Sequence, residues 1–355
     1  MDISVIIPIR DGSDTLGQCL ASLKRVNFRD FEVIVVDDGS KKDCSEVVNS
    51  YGFKSIRLNE PSGVGCARNK GAELATGDIL VFTDCDMIVP PEALHRIQHR
   101  FSDNNYAALS GICGFKSPTT RLATLYKNLW MFHSYTLSPE NFDWFLTGIG
   151  AVKREVFFRL GGFDTGFHIK TGGGDLEFGR RLREAGERIF LDKELRVQHL
   201  KRYSLWGLLR NDYNRSKGWF RLVARKKMIP HVMKSLRIAN IYPVFIISVL
   251  LSLLFAFFLL LSPFFEFSRY VIACLATAYV ITNYRLFRFL RREGGTGFLL
   301  KAIPLSFVDH LVSGFGVLRG CFGWLGSLAG RWFRKLKFRA GPGQDAFQVG
   351  GGENL

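Results

Sequence analysis

The stretch that decides the fold is residues 63–86, GVGCARNKGAELATGDILVFTDCD. Residues 66–75 have helical spacing, and residues 79–83 (ILVFT) form a short apolar run that leads directly into the triplet Asp-Cys-Asp at 84–86. A helical period followed by such a run is typical of a helix that leads into a buried strand. Two carboxylates therefore lie where that strand is predicted to end.

Two further strand-like runs precede this stretch. Residues 3–9 (ISVIIPI) and 32–36 (EVIVV) are short and rich in β-branched residues, and residues 14–25 between them have helical spacing. The chain is thus predicted to open on a strand and not on a signal peptide. Strands that alternate with helices at this spacing predict parallel βαβ units, so we expect an α/β domain with a Rossmann-like, mostly parallel sheet.

Acidic turns follow two of these strands. Asp37 and Asp38 begin the turn DDGS after the second strand, and Asp84 and Asp86 follow the third. Either turn alone could be an ordinary strand ending, because turns are rich in Asp. In open parallel sheets, however, ligands bind beyond the carboxyl ends of the strands. Together the turns predict a site where carboxylates bind Mg²⁺ or Mn²⁺ and accept hydrogen bonds from a nucleobase or ribose.

The composition changes near residues 200–240. Residues 1–200 carry 25 basic and 26 acidic side chains, whereas residues 201–355 carry 23 and 6, and the whole chain has a net charge of +16. The positive charge therefore accompanies the long apolar runs, which is typical of a membrane anchor beside anionic lipid headgroups. Nucleic-acid binding would not require such runs, so no nucleic-acid partner is expected. Seven cysteines without a CxxC pair argue against a structural zinc site.

Residues 241–290 are predicted to form a transmembrane hairpin. Residues 241–262 contain no charge and are long enough for a bilayer core of about 30 Å, and residues 270–284 continue apolar before an arginine cluster. Basic residues flank the hairpin on both sides, and the positive-inside rule assigns both flanks to the cytoplasm. We therefore expect a multi-pass protein of the cell inner membrane, with membrane lipids as partners and a cytoplasmic catalytic domain.

The other C-terminal segments complete the predicted organisation. Residues 206–240 are predicted to be a basic amphipathic connector on the headgroups. Residues 291–340 are predicted to form interfacial or re-entrant helices, with a second hairpin as the alternative. Within them, Asp309 and His310 are predicted to contact a lipid phosphate or to lie at the interface, because ionisable groups in lipid are costly. Residues 341–355, which end in GGGENL, are interpreted as a tail and the remnant of a tag.

Three further residues are candidates for chemistry. Arg68 opens a predicted helix and would pair with a diphosphate or be an ordinary surface arginine. Asp175, in the glycine-rich run GGGDLEF at 172–178, would either cap a helix or act as a general base at its start. His199, after the last predicted strand, would be structural or would complete the metal site.

The order of these motifs resembles the inverting glycosyltransferases of family 2, which have a GT-A fold. The resemblance rests on VIIPIRDG, VVDDGS, GVGCARNKGAELATGDILVFTDCD, GGFD and GGGDLEFGRRLREAG, and it implies a catalytic domain over residues 1–205. It also implies a nucleotide-sugar donor, a UDP- or GDP-sugar, and Mg²⁺ or Mn²⁺ as cofactor. The predicted anchor favours a lipid-linked acceptor.

The resemblance assigns a role to each candidate residue. It assigns donor binding to Pro8, Asp37, Asp38, Arg68 and Asp84, and metal binding to Asp84, Asp86 and His199. It assigns base catalysis to Asp175 and places Trp144, Gly148 and Glu177 on the acceptor side. Gly174 stands where the family usually has Glu before the base, so a second acceptor-side carboxylate is either missing or supplied by Glu177. No clear QxxRW motif is present, which weakens the case for a polymer-extruding synthase; residues 214–219 (NRSKGW) match it only faintly.

Three functions remain open at this level. The first is inverting sugar transfer by single displacement, with Asp175 as the base. The second is a polyprenyl-phosphate sugar synthase, whose phosphate acceptor would not strictly need that base. The third is a catalytically inactive homologue acting as a membrane scaffold, which the glycine at position 174 motivates.

Overall fold

The computed structural model describes residues 2–103, 106–116, 119–166, 173–225 and 242–339, so predictions on 226–241, on Gly172 and on the tail 341–355 lie outside the described residues. The strands are β1 (Ile3–Ile9), β2 (Phe31–Asp37), β3 (Lys54–Arg57), β4 (Ile79–Thr83), β5 (Met87–Ile88), β6 (Ala108–Cys113), β7 (Asn141–Phe142), β8 (Ile149–Lys153) and β9 (Ile189–His199). The helices are α1 (Ser13–Lys24), α2 (Ser45–Ser50), α3 (Val64–Leu74), α4 (Ala93–Asp103), α5 (Leu122–Thr136), α6 (Arg154–Arg159), α7 (Gly174–Glu184), α8 (Leu205–Arg225), α9 (Pro243–Leu261), α10 (Ser268–Thr282) and α11 (Tyr284–Arg339).

The strands form one sheet in the order β3-β2-β1-β4-β8-β6-β9-β5, with β7 also paired to β9. β1 runs parallel to β2 and β4, and β2 runs parallel to β3. Beyond β4 the pairing changes, because β8 lies antiparallel between β4 and β6, and both β5 and β7 lie antiparallel to β9. The α/β prediction is confirmed. The sheet is mixed, because β6 and β9 again run parallel to each other beyond the antiparallel β8.

Helices cover both faces of this sheet. β1 is buried at all seven positions, which explains its sequence ISVIIPI, apolar and rich in β-branched residues except at Ser4. Val5 and Ile7 pack on the side of α1, α2 and α4, whereas Ile6 packs on the side of α3, α6 and α7. Because β1, β2 and β4 are parallel, their carboxyl ends meet at one edge, and both acidic turns lie there as predicted.

Two of the described helices are long and apolar enough to cross a membrane. These are α9, with a mean hydropathy of 3.1, and the part of α11 from Tyr284 to Ser327, with 1.3. α9 leaves large apolar side chains uncovered, for example Leu250 at 55% and Leu260 at 75% exposure. α10 has 15 residues and is shorter than a usual span. The two helices of the predicted hairpin are therefore present, as α9 and α10.

Residues 291–340 are predicted to form interfacial or re-entrant helices. α11 consists of two helices that meet at Gly295, whose backbone is not helical (φ 81°, ψ 171°), and the second of them continues through Pro304. Asp309 and His310 are only 2% and 1% exposed. The hydroxyl of Tyr126 donates to Asp309 (3.3 Å), and Tyr279 Oη lies 2.7 Å from His310 Nδ1. Both residues therefore lie inside the helix bundle, not at a lipid interface, because the bundle supplies their polar partners.

α8, which includes the first part of the predicted connector, packs between the catalytic domain and the apolar helices. It contacts α5 on one side and α11 on the other. Trp219 and Leu222 of α8 are buried in a cluster with α5 and the sheet, and Leu208 is buried in a second cluster with α10 and α11. The helix thus joins the two parts of the molecule.

Candidate active site

A cavity of about 390 Å³ opens at the sheet edge where the parallel strands end. The end of β1, the turn between β4 and β5, the start of α7 and the segment after β9 form its catalytic-domain wall, and α5 and α8 form the rest. Its lining includes Pro8, Asp84, Cys85, Asp86, Tyr135, Gly173, Asp175, His199, Lys201, Tyr203, Asn211, Arg215 and Trp219. Five of the sequence-predicted site residues therefore meet around one space.

Arg68 orients Asp84 from behind the cavity wall. Its Nη2 donates to Asp84 Oδ1 at 2.7 Å, and its side chain is only 8% exposed. Gly71 makes this position possible, because a methyl group there would lie 2.5 Å from Cγ2 of Ile6 and would push α3 away from β1. Burial and the nearby Asp86 raise the pKa of Asp84, against the opposing effect of Arg68. Arg68 is not among the residues that line the cavity, and its guanidinium contacts Asp84 instead.

Asp86 and His199 are brought together by strand pairing. β5 and β9 place Met87 opposite His199, and the Leu200 N–H donates to the Asp86 carbonyl at 2.8 Å. His199 Nε2 then lies 3.1 Å from Asp86 Oδ2. Burial acts to raise the pKa of Asp86, but the hydrogen bond and charge of His199 outweigh it and hold the pKa below its usual value. Of the two carboxylates in this turn, Asp86 is therefore ionised more readily than Asp84.

These side chains fit a divalent cation. Two carboxylates and one imidazole are ligands for Mn²⁺ or Mg²⁺, and His199 Nδ1 is buried without a hydrogen-bond partner among the described residues. The three donors do not form a closed cage, since no group containing them has its donor atoms within 4.8 Å of one another in the described part of the chain. Such an open set suits a cation that takes its remaining ligands from substrate phosphates and water.

Another acidic group does satisfy the 4.8 Å distance, namely Asp37, Asp43 and Cys44. The Arg57 guanidinium lies 3.9 Å from Asp37 and 3.8 Å from Asp43, so it already supplies a positive charge to these two carboxylates. Burial raises the pKa of the Cys44 thiol to about 11, which keeps it protonated and a poor ligand. We therefore assign no metal to this group.

Asp175 lies at the start of α7 and faces the cavity. Its Oδ1 accepts hydrogen bonds from the N–H groups of Gly173 (3.2 Å) and Leu176 (2.9 Å), and Thr147 Oγ1 lies 3.5 Å from Oδ2. Gly173 has φ 120°, a conformation that favours glycine, which explains the glycine before the helix. One carboxylate oxygen is thus fixed by the backbone, and the other is available to a substrate.

Asp37 and Asp38 do not line the main cavity. Asp38 accepts hydrogen bonds from the N–H groups of Ser62 (2.6 Å) and Gly63 (2.9 Å) and so fixes the loop before α3. Asp37 Oδ1 accepts the Ser40 N–H (2.8 Å), and its Oδ2 is buried without a hydrogen-bond partner in the described chain. A second cavity of about 300 Å³ lies beside them, lined by Ile9, Asp11, Gly12, Ser40, Lys41, Lys42 and Cys44.

The predicted acceptor-side residues are not on the cavity wall. Glu177 is 1% exposed and accepts hydrogen bonds from Arg181 at 2.9–3.0 Å, because it projects from the face of α7 opposite Asp175. Trp144 is 3% exposed in the core formed with α5 and α8. Gly148 lies beside the cavity, where its carbonyl accepts from Thr83 Oγ1 at 2.8 Å. None of the three lines the space next to Asp175.

Sequence reasoning missed the wall that faces these carboxylates. It consists of Tyr135 from α5, Lys201 and Tyr203 from the segment after β9, and Asn211, Arg215 and Trp219 from α8. The faint match NRSKGW was the only signal, and it does contain Arg215 and Trp219.

Gly179 sets the distance between α7 and the sheet. A methyl group there would collide with the backbone of Trp144 and Phe145. We expect Gly179→Ala to lower the stability by about 1–3 kcal/mol and to lower turnover, because the shift of α7 would move Asp175. Gly174→Ala is the matched control for stability, since its methyl group would meet nothing within 4 Å. Equal melting temperatures for the two purified variants would contradict this role of Gly179.

Comparison with known proteins identifies the first half of the chain. Residues 4–163 match the sequence profile described as Glycosyl transferase family 2. This span contains both acidic turns and ends within the motif GGFD. Residues 4–163 form a family 2 glycosyltransferase domain. The resemblance seen in the motifs is thereby confirmed, although Asp175 and His199 lie beyond the matched span.

Several relatives of the family 2 domain are known. The glucosyl-dolichyl phosphate glucuronosyltransferase of Haloferax volcanii is 24% identical over 229 residues, which cover 56% of this chain and 69% of that protein. The validoxylamine A glucosyltransferase of Streptomyces hygroscopicus subsp. jinggangensis is 30% identical over 230 residues, and the aligned part covers only 54% of either protein.

The mannosyltransferase PcManGT from Pyrobaculum calidifontis, solved in complex with GDP-Man and Mn²⁺, has a similar fold. It superposes with a TM-score of 0.54 over 89% of this chain and 86% of that chain, at 18% identity. At this identity the likeness concerns the fold alone. With the family match, it establishes the GT-A fold for the family 2 domain.

Proposed function

We propose that this chain is a membrane-associated inverting glycosyltransferase. It moves a sugar from a nucleotide-sugar donor to a lipid-linked acceptor at the cytoplasmic leaflet of the inner membrane. The observation that carries the proposal is the meeting of Asp84, Asp86, His199 and Asp175 around one cavity at the end of the parallel strands. Two of the relatives are named as glycosyltransferases, and one of these names includes a dolichyl-phosphate-linked sugar.

The donor would bind across the two cavities. Its nucleoside would occupy the 300 Å³ cavity beside Asp37. Asp37 Oδ2 accepts no hydrogen bond among the described residues, with Arg57 3.9 Å away, and it could accept one from a nucleobase or ribose after a small opening of the loop. Its diphosphate then lies towards Asp84, Asp86 and His199. A bound Mg²⁺ or Mn²⁺ would neutralise the charge that develops on the leaving nucleoside diphosphate.

Asp175 would act on the acceptor. Because backbone N–H groups hold its Oδ1, its Oδ2 can take the proton of an acceptor hydroxyl while that oxygen attacks the anomeric carbon. The leaving group departs from the opposite face of the sugar, so a single displacement inverts the configuration. With Glu177 paired to Arg181, Asp175 is the only carboxylate on that side of the cavity among the described residues.

Membrane association rests on the apolar helices. α9 and part of α11 are long and apolar enough to span a bilayer, and the excess positive charge lies in the same half of the sequence. This arrangement supports a lipid-linked acceptor, because α8 lines the cavity and packs against α11.

The test is release of nucleoside diphosphate by the full chain in lipid nanodiscs. UDP-, GDP- and dTDP-sugars would be compared with Mn²⁺ or Mg²⁺, each with and without a bacterial membrane-lipid extract. Metal-dependent release stimulated by the extract is expected for one donor. Binding of a nucleotide sugar without turnover of any donor would instead favour the scaffold function.

Asp86→Asn should raise the Mn²⁺ concentration needed for half-maximal release of nucleoside diphosphate by at least about tenfold. The reason is that Asp86 is the carboxylate held ionised by His199. Asp30→Asn, an exposed carboxylate at the amino end of β2, is the control and should keep the wild-type requirement. An unchanged metal requirement in Asp86→Asn would show that the metal lies elsewhere.

A further inference from the structure

Two basic side chains, Arg215 and Lys201, line the 390 Å³ cavity without a direct ion pair to a carboxylate in the described part of the chain. Arg215 stacks on Trp219, with its guanidinium carbon 4.8 Å from the ring centroid, and the Lys201 ammonium lies 5.0 Å from the ring of Tyr203. Among the described residues, neither forms an ion pair with a carboxylate. Arg215 is half-buried and has no carboxylate within ion-pair distance among the described residues, although Asp212 lies close enough for their charges to interact. A partly desolvated cation without a direct ion pair is costly. An anionic ligand would offset that cost.

Asp212, the carboxylate expected to pair with Arg215, already accepts hydrogen bonds from other residues. Asp212 is three residues earlier on α8, the usual spacing for an ion pair on a helix. Its Oδ2 accepts a hydrogen bond from Lys127 Nζ at 2.5 Å, and its Oδ1 accepts one from Asn211 Nδ2 at 2.9 Å. The pair of Lys127 and Asp212 is buried, with side-chain exposures of 3% and 7%. Arg215 is therefore left with its donors available to the cavity.

The two cations lie near different parts of the site. Arg215 belongs to the α8 wall of the cavity, together with Asn211 and Trp219. Lys201 comes from the segment after β9, two residues beyond His199. The metal-binding candidate His199 therefore lies beside Lys201 along the chain, whereas Arg215 is carried by a separate helix.

The helix that carries Arg215 is fixed to an apolar helix. A methyl group at Gly316 of α11 would lie 2.5 Å from the Tyr213 carbonyl oxygen, and one at Gly320 would lie 3.0 Å from the Lys217 carbonyl oxygen. The two helix backbones are therefore in close contact on both sides of residue 215. A substrate anchored in lipid beside α11 would reach the cavity along α8.

We propose that Arg215 binds a phosphate group of the lipid-linked acceptor. The inference rests on the proposed function, since it requires an acceptor carried by a lipid. A guanidinium placed over an indole ring can still donate two parallel hydrogen bonds to a phosphate. Arg215 thereby selects acceptors whose lipid is joined through phosphate, and it holds that phosphate while the reacting group lies at Asp175.

The test measures binding and not activity. The full chain in phosphatidylcholine nanodiscs would be titrated with farnesyl phosphate, with farnesol, and with UDP or GDP in the presence of Mn²⁺. Arg215→Gln is expected to weaken farnesyl phosphate binding by about 10- to 100-fold, the usual effect of losing charge-assisted hydrogen bonds. Binding of farnesol and of the nucleotide should stay unchanged. Arg210→Gln, an exposed arginine on the same helix, should bind all three probes like the wild type.

The outcomes separate the two sources of phosphate. Weaker nucleotide binding with unchanged farnesyl phosphate binding would assign Arg215 to the donor and overturn the inference. Equal binding of farnesyl phosphate by wild type and Arg215→Gln, or no binding by either, would overturn it as well, although donor turnover in the release assay would still support the proposed function. If Arg215→Gln does not fold, Arg215→Lys replaces it, and weaker binding of farnesyl phosphate alone is expected because lysine lacks the paired donors.

Discussion

Replacing Asp175 by Asn is expected to lower turnover by about 10²–10⁴-fold, the usual contribution of a positioned general base. The amide keeps the shape of the side chain and can still accept the N–H groups of Gly173 and Leu176 through its oxygen. It cannot take a proton from the acceptor. Binding of Mn²⁺ with the nucleotide should therefore survive, because Asp84, Asp86 and His199 are unchanged. Release of nucleoside diphosphate and nucleotide affinity measure the two effects separately.

Glu184→Gln is the matched control for this experiment. Glu184 is an exposed carboxylate on the same helix, paired with Arg180, and does not line the cavity. It should retain wild-type turnover. Near-wild-type turnover in Asp175→Asn would remove the base assignment and favour the polyprenyl-phosphate sugar synthase, since an ionised phosphate acceptor needs no deprotonation.

Replacing Lys127 by Met is expected to lower the free energy of unfolding by about 3–5 kcal/mol. Lys127 Nζ lies 2.5 Å from Asp212 Oδ2 in a site with almost no solvent exposure. Burial acts to raise the pKa of Asp212, but the charges of Lys127 and Arg215 hold it below its usual value. Loss of the lysine therefore leaves a buried carboxylate without its main counter-charge.

The double variant Lys127→Met, Asp212→Leu provides the control. Replacing both partners of a buried pair by apolar groups of similar volume is often neutral. We expect it to recover most of the stability lost in Lys127→Met. Denaturant unfolding in a fixed detergent compares the wild type, both single variants and the double variant. Additive losses would mean that the two residues do not depend on each other.

Much of the catalytic domain could be predicted from local sequence. β1, β2 and β4 are mostly apolar because both faces of the sheet are covered there, and such apolar runs can be recognised in the sequence. The turns that follow them reach one edge because the strands are parallel, so Asp84 and Asp86 were placed there correctly. Asp175 lies at the start of α7 and was suggested by its glycine-rich motif instead. The direction of β8 could not be read, since a buried antiparallel strand and a buried parallel strand have the same apolar sequence.

Side chains that face away from the cavity were harder to assign. Asp175 and Glu177 are two residues apart on α7, and residues at that spacing point to different faces of a helix. Arg68 lies on the face of α3 that packs against the sheet, where a resemblance of motif alone suggested contact with phosphate. Arg215 comes from a helix more than 30 residues further along the chain than Asp175, so only tertiary packing brings it to the site.

The glycine contacts between α11 and α8 mean that the domain containing the sheet does not work independently of the apolar helices. Cutting the chain after α8 would strip that helix of the surface against which Gly316 and Gly320 hold it. The 300 Å³ cavity, lined by residues at and after the ends of β1 and β2, would keep its lining after such a truncation, whereas the α8 wall of the 390 Å³ cavity would lose its support. Under the proposed function, a shortened version would bind its donor and fail to bind its acceptor.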